Sequence, residues 1–553
     1  MELESISNHF VNYYFLLGGL FLSYLIYRIF HTLFFDVDII YNKYKLKGHS
    51  WRNIQCNKSI PYNIYCNVCS ALMLPLFGLF CECCGASACK KCQSVIDQNY
   101  KCKQIMWPSN KPFHHLWVNV GVITDRSTTD RSDDLNPVIK YFCTWCQRTK
   151  VSATDLSKCT EVCDFQKYKN IIIPPTCVEI ENRRIVNIKD FSIENWEPVI
   201  IFANRKSGSY KGDEVLSIFR GVLNPIQVID IASIPPEKAL KWLPTKCKIL
   251  VAGGDGTIAW VLNALHGSTR VKACVGILPM GTGNDLSRSL GWGPGNTDLD
   301  AHTIISNLLR ADEILLDRWK VTIRPKRTRL GRGRERVLYS YNYTSVGVDA
   351  QVALDFHRAR SQFLYRYANR TLNYMAYAVL GAGRVLDAGW CDALERRLRV
   401  WTGAGGEASG AGGGASGAGG GASGAGSGAG GGAGVQLDLP PLQALVLLNI
   451  TCWGAGVRLW ELGSDDDVGE QFMDDGKLEV VGISSSFHIA RLQCGLAEPF
   501  RFKQTNYVKI ELEGRCAMQV DGEPWMQGPA TITVEPAGQS RMLRAPDTSE
   551  TDT

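Results

Sequence analysis

The stretch VAGGDGTIAWVLNAL at 251–265 constrains this chain most, because it sets a glycine-rich loop directly between a buried strand and a helix. Lys248 to Ala252 (KILVA) is a short apolar run with β-branched residues, the pattern of a strand covered on both faces. Gly253, Gly254 and Gly256 carry no Cβ, so the backbone can turn sharply and bring its N–H groups against phosphate oxygens at the positive end of the helix that follows. Asp255 and Thr257 complete the loop. A carboxylate beside a polyphosphate is repulsive unless it faces a metal ion or a hydroxyl that loses a proton, so Asp255 points to phosphoryl transfer more than to binding alone.

For GGDGT by itself a tight strand-to-helix turn is an equally simple reading. Two neighbouring segments argue against it. Pro198 to Asn204 (PVIIFAN) is a second apolar run, ending in Asn204, Lys206, Ser207 and Gly208. Cys274 to Met280 (CVGILPM) is a third, leading into Gly281, Thr282, Gly283, Asn284 and Asp285. In an open parallel sheet the carboxyl ends of the strands form the ligand crevice, so three such loops describe one polyphosphate pocket.

With ANRKSG, VAGGDGT and LPMGTGNDLSRSLGWG on these loops, the chain resembles the catalytic domain of eukaryotic diacylglycerol kinases. SVGVDAQVALDFHRAR at 345–360, NITCWGAG at 449–456, FMDDGKLEVVGI at 472–483 and VDGEPW at 520–525 resemble the family's accessory half. The resemblance spans about 198–540. It implies a two-lobed kinase, with an α/β nucleotide-binding catalytic lobe at 198–330 and a β-rich accessory lobe at 331–540, and ATP and Mg²⁺ as reactants. It implies Asn204, Gly208, Gly253, Gly254, Asp255, Gly256, Thr257, Gly281, Thr282, Gly283 and Asn284 as the ATP-binding set. The P-loop pattern GxxxxGK[ST] and the protein-kinase signatures HRD and DFG are absent.

A chain of 553 residues is too long for one core, and several domains are expected. The net charge of +6 suits a phosphate ligand or an anionic surface and is too mild to argue for nucleic acid. Residues 10–35 are almost continuously Phe, Leu, Ile, Tyr and Gly, long enough for a membrane helix. Glu2 and Glu4 precede this segment while Lys43, Lys45 and Lys47 follow it, which predicts a retained anchor with the bulk of the protein in the cytosol. Gly18 and Gly19 leave a re-entrant hairpin open. The expected location is therefore a membrane, the endoplasmic reticulum or plasma membrane, with the bilayer as a partner and the catalytic domain cytoplasmic.

Fourteen of the 20 cysteines fall between Cys56 and Cys177, which marks a local device rather than a general disulfide framework. Cys66-x-x-Cys69, Cys81-x-x-Cys84 and Cys89-x-x-Cys92 have the spacing of zinc ligands. Residues 49–102 resemble the diacylglycerol/phorbol-ester-type zinc finger. By that resemblance His49, Cys81, Cys84 and Cys102 hold one Zn²⁺, and Cys66, Cys69, Cys89 and Cys92 the other, with Cys89 where the pattern usually has histidine. A degenerate copy follows at 115–163. His115, Cys143, Cys146 and Cys163 make one set, while TDRSTTDRSDD at 124–134, Val151 and Thr154 stand where the second set belongs.

Three acidic positions beyond the fingers are candidates for the chemistry. Asp255 could orient phosphate-bound Mg²⁺ through water. Asp474-Asp475-Gly476 resembles an acidic turn that supports metal in related kinases, so Asp475 is taken as a metal residue. Asp521-Gly522-Glu523 reads as a hairpin turn between CAMQV and WMQG, and the resemblance makes Glu523 the general base. The run RPKRTRLGRGRER at 324–336 and the basic, aromatic segment 356–367 are either a solvated loop and core packing or lipid-facing elements. Residues 403–434 are nearly all Gly, Ala and Ser, a composition expected to be a disordered insertion. The resemblance implies conversion of 1,2-diacylglycerol and ATP to phosphatidic acid and ADP, attenuating diacylglycerol signalling and feeding phosphatidylinositol resynthesis. The layout of hydrophobic segment, two fingers and catalytic domain is most like the epsilon type. A ceramide or sphingoid-base kinase and a catalytically silent scaffold are the rival readings.

Overall fold

The computed structural model describes residues 48–53, 66–69, 71, 73, 78–123, 139–150, 161–182, 184–205, 212–295, 300–326, 333–361, 391, 393–403, 434–464 and 469–546. The expected anchor at 10–35, Lys206, Ser207, Gly208, the acidic stretch 124–134, Val151, Thr154, residues 362–367 and nearly all of 403–434 lie outside them. The membrane location expected from the sequence is corrected: among the described residues no helix is long and apolar enough to cross a membrane. The chain divides into two units. One comprises Met1–Lys169, Pro174–Val178 and Arg220–Pro225, the other Asn170–Ile173, Glu179–Phe219 and Ile226–Thr553.

The first unit holds two short antiparallel sheets, each built around cysteine turns. Strands β1 (Trp51–Asn53), β2 (Gly78–Cys81) and β3 (Ser87–Cys89) pair in that order, followed by helix α1 (Gln93–Asn99). Strands β4 (Trp117–Ile123), β5 (Ile139–Cys143) and β6 (Thr149–Lys150) form the second sheet. The two repeat one design. His49 lies 5.1 Å from the Trp51 ring and His115 lies 5.2 Å from Trp117. The Cys81 and Cys143 amides donate to the carbonyls five residues on, at Ala86 and Arg148. Gly85 and Gln147, each just after the second cysteine of its pair, both take positive φ, 74° and 64°.

Three sets of four side chains converge in this unit: His49, Cys81, Cys84 and Cys102; Cys66, Cys69, Cys89 and Cys92; His115, Cys143, Cys146 and Cys163. Within each set the ligand atoms all lie within 4.8 Å of one another. A tetrahedron with Zn–S bonds of about 2.3 Å has edges of about 3.8 Å. Cys81 and Cys102 sulfurs are 3.6 Å apart and those of Cys69 and Cys89 3.9 Å, so the sets could hold zinc. His49 Nε2 lies 3.1 Å from the Tyr100 carbonyl, which leaves Nδ1, 3.3 Å from Cys84 Sγ, facing the cluster. The apolar core beside it is small, with Ile96, Ala86, Ala88 and Val118. Such a core needs a metal to offset chain entropy.

The second unit begins with a two-stranded ribbon, β7 (Val178–Glu181) and β8 (Arg184–Ile188). An α/β stretch follows: β9 (Val199–Ala203), α2 (Gly212–Val222), β10 (Val228–Asp230), α3 (Pro236–Ala239), β11 (Lys246–Gly253), α4 (Asp255–His266), β12 (Lys272–Pro279), α5 (Asp285–Ser289) and α6 (Ala301–Arg310). The parallel strands β9 and β11 are buried along nearly their whole length, which is why they read as continuous apolar runs. Next come β13 (Asp312–Pro325), β14 (Arg336–Ser340), β15 (Tyr343–Gly347), α7 (Val348–Ser361), β16 (Leu398–Thr402), β17 (Val435–Gln436), β18 (Ala444–Leu448) and β19 (Leu478–Ile483). The unit closes with α8 (Ser486–Gln493), β20 (Phe500–Thr505), β21 (Val508–Leu512), β22 (Cys516–Val520), β23 (Glu523–Gln527) and β24 (Ala530–Arg544).

Two sheets result. One runs β10-β9-β11-β12-β24-β21-β16-β17, with the β13–β14 ribbon joined through β24. The other is antiparallel, in the order β20-β19-β18-β15-β22-β23. This is a two-lobed architecture, but sheet membership does not follow a boundary at 330. The β13–β14 ribbon straddles that point, and the carboxyl-terminal strand β24 returns to pair in parallel with β12 through Met542 and Val275. Asn449 ties the lobes: its Oδ1 accepts from Trp319 Nε1 at 2.7 Å and its Nδ2 donates to the Asp317 carbonyl at 2.9 Å.

Two expectations follow. Elemental analysis of the full chain should find three zinc ions, and none would overturn the metal reading. The second concerns Glu479, fully buried in β19, which accepts from Gln471 Nε2 at 2.8 Å and Gln504 Nε2 at 3.1 Å. Burial pushes its carboxyl up to about 7. With the folded value above the unfolded one, stability is fullest below about pH 4.5 and declines as pH rises to about 7, by up to about 3 kcal/mol. Glu479→Gln should flatten that decline, since both neighbouring amides can turn an oxygen toward the new side chain. Thermal midpoints at pH 5 and pH 8 that fall equally in both proteins would contradict it.

Candidate active site

The three loops expected to converge do so at the carboxyl ends of β9, β11 and β12. The Asn204 amide donates to the Ala252 carbonyl at 3.1 Å, and the Met280 amide to that of Gly253 at 2.9 Å. Asn204 Nδ2 reaches Thr257 Oγ1 at 3.2 Å. The glycines are where backbone meets backbone: a Cβ on Gly254 would come within 3.0 Å of the Gly281 Cα, and one on Gly253 within 2.5 Å of Thr257. Asn284 shapes the third loop from a left-handed conformation with φ 54°. Its side chain accepts from the Gly281 amide at 2.8 Å and donates to the Gly281 and Pro294 carbonyls at 3.0 and 2.7 Å. Thr282 and Gly283 lie in the same loop, where a Cβ on Gly283 would stand 3.7 Å from Asp255 Oδ2.

Asp255 opens α4 and turns its carboxylate to the start of α5, accepting from the Asp285 amide at 3.3 Å and the Leu286 amide at 3.2 Å. Asn342 adds a side-chain hydrogen bond, while burial pushes the carboxyl upward. Beside it is an acid that the sequence reading passed over as a site residue, Asp285, 3 % exposed. Burial first, and the Asp255 charge second, push Asp285 up to about 7. Tyr343 donates to Asp285 Oδ2 at 3.3 Å, and the Ala455 backbone also hydrogen-bonds to this carboxyl. Two buried carboxyls thus lie side by side, each raising the cost of ionising the other.

Asp521-Gly522-Glu523 is both a hairpin turn and part of this site. Asp521 and Gly522 take φ of 48° and 82° and close the two-residue loop between β22 and β23. The buried Asp521 carboxylate accepts from Ser340 Oγ at 2.8 Å and from the amides of Tyr341, Asn342 and Tyr343 at 2.8, 2.9 and 3.1 Å. It thereby fixes the turn that presents Asn342 to Asp255 and Tyr343 to Asp285. Glu523 follows, exposed at the head of β23, with Oε1 3.2 Å from where a Cβ on Gly256 would stand. Asp255 and Asp285 therefore adjoin at these loops, and Glu523 approaches the same loop beside Gly256.

Asp475 does not join them. Its turn is tied to Asp317, which accepts from the Gly476 amide at 2.6 Å and from Gln539 Nε2 at 2.9 Å. The next residue, Ser540, contacts His266 Nε2 at 2.9 Å, at the far end of α4. Asp255 begins that helix, about 16 Å away at 1.5 Å per residue. Among the described residues Asp475 belongs to no convergent group of three or more metal-ligating side chains. The expected finger ligands fall in the three cysteine clusters instead.

Residues 198–315 match the diacylglycerol kinase catalytic domain and residues 339–524 the diacylglycerol kinase accessory domain. The chain is 32% identical over 360 residues to diacylglycerol kinase theta of Homo sapiens, covering 63% of this chain and 35% of that protein. It is 33% identical over 360 residues to diacylglycerol kinase 1 of Arabidopsis thaliana, covering 63% and 44%. A probable diacylglycerol kinase 3 of Caenorhabditis elegans is 28% identical over 557 residues, covering 90% and 64%. The chain thus spans about a third to two thirds of the length of these relatives. None of these matches supports the epsilon type in particular. With a catalytic and an accessory domain that together occupy most of the second unit, the chain belongs to the diacylglycerol kinase family.

Proposed function

We propose that this chain transfers the γ-phosphoryl group of ATP to the free hydroxyl of 1,2-diacylglycerol, giving phosphatidic acid and ADP. The observation that carries the reading is the adjacency of Asp255 and Asp285, with Glu523 beside Gly256, at a glycine loop built from three strand ends, within the domain the family shares. The loop amides of Gly253–Thr257 at the head of α4 are suited to phosphate oxygens. Asp255 and Asp285 are the residues that would hold Mg²⁺, which neutralises charge on the phosphates when bound. Glu523, exposed beside Gly256, is suited to accept the hydroxyl proton. Asp521, Asn342 and Tyr343 act through the others by position. The epsilon-type layout rests on residues 10–35, outside those described, and is not carried further.

Asp255→Ala should leave folding intact and lower turnover on the order of a hundredfold or more, the usual cost of one preorganised electrostatic contact. Glu523→Gln keeps size but removes basicity, so single-turnover transfer should fall by a similar factor while ATP affinity changes little. Labelled phosphate transfer to a panel of lipid alcohols in mixed micelles checks both. Activity within a few-fold of wild type in the folded Asp255→Ala protein would sink the assignment. Equal loss of ATP binding in Glu523→Gln would move that residue to the nucleotide.

A further inference from the structure

Arg318 is a cation that the proposed chemistry leaves unused. It sits on β13 at a bulge, where the register with β24 shifts between Asp317 and Trp319. Bulges re-aim a side chain, and this one lays the guanidinium 3.4 Å over the Tyr339 ring and against α4, where Nη2 donates to Asn263 Oδ1 at 3.2 Å. Tyr341 donates to the same oxygen at 3.0 Å. Of the arginines in this unit, Arg205, Arg324 and Arg541 are matched by acids, with Asp213 at 2.6 Å, Glu335 at 2.7 Å and Glu313 at 2.6 Å, while Arg270, Arg310 and Arg491, like Arg318, bond to neutral oxygens. Among the described residues Arg318 has no carboxylate within 4 Å, and its Nε is buried without a hydrogen-bond partner. A half-buried guanidinium held in place with its charge unanswered is costly unless an anion completes it.

The position tells which anion. Asn263 lies seven residues after Gly256 and so on the same face of α4, about 10 Å along the helix. Gly256 is where Glu523 approaches the loop. We propose that Arg318 binds a phosphate group of a reacting molecule on the α4 face beyond Glu523, serving as an anchoring residue and not as part of the proton transfer. The inference rests on the lipid-kinase reading, and its ligand chemistry is phosphate: either the nucleotide's phosphates or the phosphomonoester of the lipid product. A guanidinium offers two parallel N–H groups to such a group, which an ammonium cannot.

The test is equilibrium binding of ATP and, separately, of a soluble short-chain phosphatidic acid to the full chain, its Arg318→Gln variant and its Arg318→Lys variant. Thermal melting is recorded for each. Affinity for one of the two ligands should fall about tenfold or more in Arg318→Gln and by a smaller factor in Arg318→Lys. Loss confined to ATP assigns the nucleotide, and loss confined to phosphatidic acid assigns the lipid product. Affinities for both within twofold of wild type in a folded variant would overturn the proposal, as would failure of the wild type to bind either. If Arg318→Gln does not fold, Arg318→Lys decides by the same criterion. Because binding is read without turnover, a wild type that phosphorylates no lipid alcohol yet loses ATP affinity in the variants would refute the proposed function and leave this inference standing.

Discussion

The four hydrogen bonds accepted by Asp521 hold the candidate site together. Its carboxylate comes from the antiparallel sheet and gathers the turn at 340–343, which joins a ribbon of the other sheet to β15. A buried carboxylate with three backbone donors and a hydroxyl is expensive to desolvate and satisfied in one geometry only. That geometry delivers Asn342 and Tyr343 to the two acids of the glycine loops. The hairpin turn that Asp521 itself opens sends the chain straight on into Glu523. One local constraint thus sets three side chains and the approach of one lobe to the other.

The loops depend on this arrangement because they cannot position acids by themselves. Gly254 and Gly281 let two loops approach until backbone touches backbone, and Gly253 makes room for the Thr257 side chain, but the same lack of side chains leaves Asp255 few local contacts. Its hydrogen bonds run to the next loop, to the Asp285 and Leu286 amides, and to Asn342. Asp285 in turn is held by a tyrosine from the neighbouring lobe. The carboxyl pair therefore exists only in the folded two-lobed unit.

What the sequence made legible was local. Strand, glycine loop and helix stand within fifteen residues at 251–265, and the finger ligands recur at fixed spacings, so both could be read from order alone. Asp285 stood in a loop already singled out, yet nothing in its neighbours revealed that it would lie beside Asp255. Asn342 and Tyr343 had no signal, since their role is created by Asp521 across 180 residues of chain. The Asp474-Asp475-Gly476 turn was legible as an acidic turn, but not its place: Asp317 accepts from the Gly476 amide. What the order of residues did not show is that β13, β14 and β24 pair across the two halves.

A crystal structure of the full chain with Mg²⁺ and a non-hydrolysable ATP analogue tests this account most directly. The account expects the triphosphate on the amides of residues 253–257, Mg²⁺ against Asp255 and Asp285, and the Glu523 carboxylate facing the γ-phosphate. A nucleotide bound elsewhere, or on that loop with Glu523 turned away and the Asp255–Asp285 pair empty of metal, would contradict it.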